Sequence, residues 1–328
     1  MLYPFKFHPI LKPTIWGGER LRAKSEQTAG DIAGSAPIGE SWEISAVEEH
    51  VSVVSNGPLA GNDLQELVEI YMGDLVGDAV YERFGIEFPL LIKYIDARDD
   101  LSIQVHPDDE TARRRHNANG KTEMWFLVDA DPEASLVLGF DRPTDKAEFL
   151  REVDAGRLMN LLHVEPARAG GCFFIPAGLV HAIRSGCFIA EIQQTSDITY
   201  RVYDYDRKDA AGHERELHVD LAADVIDYRY SPRRAVNYAP RVNQSTRLVS
   251  CPYFTTSLLE IDREIARDYI SIDSFVIYMC LEGRFTIVAG GCDPVTVSRG
   301  ETVLVPAVLK NLTLYPDEVS RLLEIFIE

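Results

Sequence analysis

Two stretches of this chain alternate polar and apolar side chains as half-buried β-strands do. In LSIQVH, Ser102, Gln104 and His106 share one face while Leu101, Ile103 and Val105 share the other, because successive strand side chains point to opposite sides. KTEMWFLV repeats the pattern, with Lys121, Glu123 and Trp125 on one face and Met124, Phe126 and Val128 on the other. Pro107-Asp108-Asp109 predicts a turn between them, followed by a polar loop. If the polar faces meet, Glu123 looks at His106. Gln104, His106 and Glu123 are then candidate metal ligands, and PAGLVHAI brings His181 as a fourth from a distant segment.

The remaining pattern is mostly β. Residues up to about Val54 read as short strands and loops, with a tight turn at Trp16-Gly17-Gly18 and a strand, GESWEISA, that puts Glu40 and Trp42 on one face. Those two are either a packed pair or the rim of a site. A helix is predicted after Asn62 or Asp63, with Leu64, Leu67, Val68 and Tyr71 on one face. ASLVLGF reads as a strand, and Thr144 to about Leu162 as one or two short helices expected to cover one end of a barrel. Strand signals resume in GGCFFIPAGLVHAI, FIAEIQQ and DITYRVYDYD. Ile189, Glu191 and Gln193 share one strand face there, and Thr199, Arg201 and Tyr203 another. Charged residues on so many strand faces do not suit a plain apolar sandwich.

From about Tyr238 the chain reads as short strands to its end, and a rhythm repeats. Gly170 is followed by five residues and Pro176, with His181 five positions further; Gly300, Pro306 and Asn311 repeat that spacing. This predicts an internal duplication whose second copy lacks the histidine.

Composition narrows the class. With 328 residues and 46% hydrophobic content, the chain is long enough for two cored domains. Its formal charge of -19 argues against a nucleic-acid or anionic-membrane binder, which needs a broad basic surface. Five cysteines without a CxxC pair fit reduced thiols in a cytoplasmic protein. The N-terminal stretch is interrupted by prolines and charges, unlike a signal peptide, and no stretch is apolar enough to span a bilayer.

Gly170-x5-Pro176-x-Gly178-x2-His181 resembles the second motif of the cupin superfamily, and Gln104-x-His106 followed by Glu123 resembles the first, with glutamine in place of the usual histidine. Together with SIQVHPDD, GKTEMW, PAGLVHAI and QQTSDITYRVYD, these motifs resemble the type I mannose-6-phosphate isomerases in their short bacterial form. The resemblance runs from the WGG turn through Asp206 and more loosely to the C-terminus. It implies an all-β fold of two cupin-type antiparallel barrels, or jelly rolls, with a small helical segment. The expected domains are a catalytic one over 1–237, with a short helical cover at about 143–163, and a degenerate one over 238–328 without a metal.

The resemblance further implies one zinc ion per chain, held by Gln104, His106, Glu123 and His181, and Arg201 as the active-site arginine. Imidazole and carboxylate suit zinc, and a single anionic protein ligand leaves the ion electrophilic. The implied reaction interconverts mannose 6-phosphate and fructose 6-phosphate through an enediol, so a small phosphosugar is the expected partner. Such a reaction needs a base next to a carbonyl and cations for the oxyanion and phosphate. Lys93, Ser102, Lys121 and Arg201 are the phosphate candidates, and Glu191 or Lys121 the base. Asp197, Asp204 and Asp206 flank the arginine strand and either orient it or sit in solvated turns. His8, His116, His163, His213 and His218 are expected to be surface or locally bonded groups.

The segment between Glu123 and His181 is short, so substrate contacts made by a large helical domain in longer relatives do not carry over. Two other classes share the barrel. An iron oxygenase would prefer histidine where Gln104 stands and would leave Lys121 and Arg201 unexplained. A non-catalytic sugar-binding module would bind phosphosugar without turnover.

Overall fold

The computed structural model describes residues 1–22, 37–208, 212–230 and 235–328. Part of the N-terminal region expected to hold short strands and loops, residues 23–36, lies outside them. The chain forms two compact units, one from Leu11–Trp42 and Leu91–Ala235, the other from Met1–Ile10, Glu43–Leu90 and Val236–Glu328.

In the first unit the strands are β1 (Ile10–Gly18), β2 (Ile38–Ile44), β3 (Leu90–Asp96), β4 (Ile103–Val105), β5 (Glu123–Ala130), β6 (Ser135–Phe140), β7 (Leu162–Pro166), β8 (Cys172–Ile175), β9 (His181–Ile183), β10 (Cys187–Gln194) and β11 (Tyr200–Tyr203). They make a six-stranded sheet, β1-β2-β3-β10-β5-β8, and a five-stranded sheet, β11-β4-β9-β6-β7. Neighbouring strands pair antiparallel, as in β5 with β8 and β10 and in β9 with β4 and β6. Trp125, Leu127, Leu136, Leu138, Ile175 and Ile183 meet in one buried core cluster between the sheets.

The five-stranded sheet buries its other face as well. Ile103, Val105, Val137, Ala182, Tyr200 and Val202 pack there with Phe149, Leu158, Leu161, Ala222 and Ala223. The helix Lys146–Asp154, capped by Asp145, and the 3-10 turn Leu158–Leu161 therefore cover a sheet face. The expected position, one end of the barrel, is corrected: strand parity gives this sheet an apolar outer face that must be buried. The polar loop expected after Pro107 is also corrected. It contains a helix, Asp109–His116, started by the Asp108 carboxylate accepting from the Thr111 amide. Only Ala112 of that helix is buried, so no apolar stripe announced it.

The second unit holds β12 (Ser245–Ser250), β13 (Thr255–Ile261), β14 (Ile265–Asp268), β15 (Val276–Glu282), β16 (Arg284–Ala289), β17 (Val295–Ser298), β18 (Thr302–Val305), β19 (Asn311–Pro316) and β20 (Ser320–Phe326). Its sheets run β12-β13-β20-β15-β18 and β14-β19-β16-β17. Each strand is the counterpart of the one numbered ten lower, in the same sheet order. The duplication read from glycine and proline spacing is thus present in the topology. Gly170 and Gly300 share a left-handed backbone, at φ 82° and 81°, that a side chain would strain.

This unit also takes chain from far upstream, so its division differs from an expected boundary near residue 237. Phe5 exchanges two backbone hydrogen bonds with Leu304 on edge strand β18. The helix Leu64–Val76 starts with a capping box, Asp63 with Glu66, and its last turn offers the Leu75 and Val76 carbonyls to the amides of Ala307 and Phe275. All five cysteines are unbridged. Among the described residues, no helix is long and apolar enough to cross a membrane.

Candidate active site

The inner face of the first barrel collects the polar residues. His181, first residue of β9, pairs with Gln104 of β4, and Gln104 pairs with Arg201 of β11. Glu123 opens β5 in the opposite sheet, and His106 follows β4. His106, Glu123 and His181 are each about 1% exposed or less, and their ligand atoms all lie within 4.8 Å of one another. Gln104 Nε2 stands 3.4 Å from His181 Nε2.

The protonation pattern decides what this cluster can hold. Nδ1 of His106 is 2.8 Å from the Ile198 carbonyl, and Nδ1 of His181 is 2.8 Å from that of Leu179. A carbonyl can only accept, so each Nδ1 carries the proton and each Nε2 presents its lone pair to the cluster. The Nε2 atoms face the Glu123 carboxylate at 3.6 and 3.4 Å, and neither of its buried oxygens has a hydrogen-bond partner. Burial, aided by Lys121, holds the His106 pKa well below its ordinary value, and burial pushes that of His181 down to about 4. Four acceptors converge where a buried acceptor needs a cation. The residues therefore fit a metal ion.

Cations surround this point. Lys121 Nζ is 2.9 Å from Glu123 and 3.2 Å from His106 Nε2. Arg201 donates to the Ser102 hydroxyl at 3.3 Å and the Glu216 carbonyl at 3.0 Å, neutral oxygens that leave its charge available to an anion. Burial lowers its pKa, with Arg215 adding to the effect. Lys93 is placed differently, 3.3 Å from Glu40 and 3.3 Å from Glu191. Burial works against its charge, but Glu40, Glu191 and Glu123 outweigh it and raise the pKa. For Glu191 burial dominates, Glu123 adds to it, and the carboxyl pKa is raised. These groups line one cavity of about 200 Å³ with Thr14, Trp16, Trp42 and Trp125.

The phosphomannose isomerase type I catalytic domain matches residues 4–137. A mannose-6-phosphate isomerase of Streptococcus mutans is 35% identical, over 95% of both chains. The chain belongs to the type I mannose-6-phosphate isomerases. ManA of Bacillus subtilis, another mannose-6-phosphate isomerase, is 39% identical over 77% of this chain and 78% of its own. A crystal structure of the Bacillus subtilis mannose 6-phosphate isomerase superposes with a TM-score of 0.84 at 30% identity, covering 99% of each chain. Against the rest of the isomerase cavity, the flanking acids sort themselves. Asp204 is bound by Arg207 and Arg215, Asp197 lines the cavity, and Asp206 sits in a left-handed turn. His116 bonds the Tyr200 hydroxyl and His163 bonds Glu165, as local groups do. Sequence reasoning passed over Arg215 and left Glu40 undecided; the alternation that placed Glu40 beside Trp42 was the available signal.

Proposed function

We propose that this isomerase interconverts mannose 6-phosphate and fructose 6-phosphate through an enediol, with one zinc ion in the first barrel. The observation that carries the reading is the convergence of two imidazole Nε2 lone pairs and the Glu123 carboxylate on one point, beside a cavity with cations. Gln104, His106, Glu123 and His181 would hold the ion, which supplies Lewis acidity for the oxyanion.

The chain's own residues supply the rest. Arg201, with Ser102 hydrogen-bonded to it, offers the phosphate a permanent cation. Lys93, spanned by two carboxylates, is left out of the phosphate contacts in this reading. Glu191 takes the proton from C2 of the open-chain aldose and returns it to C1. Its raised pKa suits a group that must accept and then give up a proton near neutrality. Lys121, beside the cluster, is placed to donate to the sugar oxygens as the hydroxyl proton moves between O2 and O1. Most side chains lining the cavity are polar or charged, beside Trp16, Trp42 and Trp125, a mixture that suits a polyol.

The test is a coupled assay for fructose 6-phosphate on metal-stripped protein before and after zinc is returned. Zinc-dependent turnover is expected. Tight phosphosugar binding without turnover would put the non-catalytic reading in its place.

A further inference from the structure

One line of side chains crosses the six-stranded sheet, and the isomerase reading uses only its far end. It begins at Trp42 of β2, whose indole Nε1 donates to Glu40 Oε2 at 2.7 Å. Glu40 Oε2 lies 3.3 Å from Lys93 Nζ on β3, and Lys93 Nζ lies 3.3 Å from Glu191 Oε1 on β10. The line ends at Trp125 of β5, whose indole donates to Glu191 Oε2 at 2.9 Å. Strands β2, β3, β10 and β5 are consecutive neighbours in the sheet. The Trp42 ring also lies under the Lys93 ammonium, 5.0 Å from centroid to nitrogen. Two tryptophans thus pin two carboxylates, and one lysine is divided between them.

The division matters because these groups are removed from water. Lys93 and Glu191 are 6% and 3% exposed. Coulomb interactions are strong there and a lysine has no solvent to turn to. Glu191 Oε1 accepts no hydrogen bond, so its freedom to reach a substrate proton depends on how firmly Lys93 holds it. With Glu40 equally near, Lys93 is drawn away from Oε1 as much as toward it. Without Glu40, the ammonium would pair with Glu191 alone.

We propose that Glu40 is a positioning residue of the isomerase: by sharing Lys93 at equal distance it keeps Oε1 of Glu191 free to act on the substrate. The inference rests on the assignment of Glu191 as the base, and Glu40 itself touches no reacting atom. It explains why a half-buried glutamate and a buried lysine stand on strands that carry no candidate metal ligand.

Glu40→Gln keeps the shape and removes the charge. With zinc-loaded full-length enzyme, the expected result is a kcat lower by roughly 10- to 30-fold, a fraction of a general base's usual contribution, and a KM within about twofold. Proton removal should become more rate-limiting, so the isotope effect on kcat with 2-deuterio mannose 6-phosphate should rise. Lys93→Met removes the shared cation, and Glu40→Gln added to it should cost nothing further, because the two act through one contact. Should Glu40→Gln fail to accumulate, Trp42→Phe loosens the same carboxylate and should move kcat and the isotope effect in the same direction. A normal kcat, a loss confined to KM, or additive losses in the double variant would overturn the proposal. An inactive wild-type enzyme would instead remove the isomerase reading itself, and losing Glu191→Gln without effect would remove the base.

Discussion

The two barrels share a strand order and differ in what they put at the same inner positions. Register defines the equivalences. Glu123 pairs with Ile175 and Val276 with Val305, so valine stands where the first barrel has its carboxylate. His181 pairs with Leu138 and Leu312 with Ala289, so leucine replaces the histidine. Gln104 pairs with His181 and Arg267 with Leu312, so a guanidinium replaces the amide. Glu191 pairs with Trp125 and Glu324 with Tyr278, so the buried glutamate is kept.

The kept glutamate shows what changed. Glu324, 1% exposed, meets Arg267 at 2.5 Å and the Ser245 hydroxyl at 2.6 Å, and accepts from Tyr269, which also bonds Tyr278. Its partners are all protein groups. In the first barrel the corresponding region leaves both Glu123 oxygens and Glu191 Oε1 without a hydrogen bond, with the Lys121 and Lys93 ammonium groups close by. One fold therefore serves stability when its inner polar groups are closed on each other, and is suited to chemistry when they are left open.

Breaking the open side should have the largest effect. His181→Ala should remove most bound metal and lower activity by at least about a thousandfold, measured by metal analysis and the coupled assay, since a catalytic metal site needs its ligands. Arg201→Ala should keep the metal and lose roughly 100- to 1,000-fold in kcat/KM, the scale of one lost transition-state donor. On the closed side, Arg267→Ala should leave kcat per folded molecule unchanged but cost about 3–5 kcal/mol in urea unfolding, because it strands a buried carboxylate.

The smallest effect sharpens the contrast through pH. His181 is pushed down to about 4 by burial, whereas an unfolded histidine titrates near about 6.5. Between those values the unfolded chain binds the proton first, so stability is lost as pH falls through that window. Metal-free protein should be about 1 kcal/mol less stable at pH 5.5 than at pH 7 from this residue, and His181→Leu should lose that contribution. Equal pH dependence in the variant would contradict the assigned burial.

Much of this contrast was legible in the sequence. Period-two alternation placed Gln104, His106 and Glu123 on inner faces, and spacing found both His181 and the repeat. Asn311 marks where spacing fails. It is exposed at the start of β19, and Leu312 points inward instead. A one-residue slip turns every side chain to the other face, and spacing alone cannot register it. The link from Glu40 through Lys93 to Glu191 joins strands distant in sequence, so local pattern could not reveal it. The same holds for the unit boundaries, which depend on Phe5 and Leu75 reaching residues 304 and 307.

Metal location tests the central claim most directly. Crystals of the zinc-loaded protein, measured on both sides of the zinc absorption edge, should show one anomalous peak per chain among Gln104, His106, Glu123 and His181, and none within the second barrel. A peak beside Glu324, or a first-barrel peak that His181 does not touch, would contradict the account.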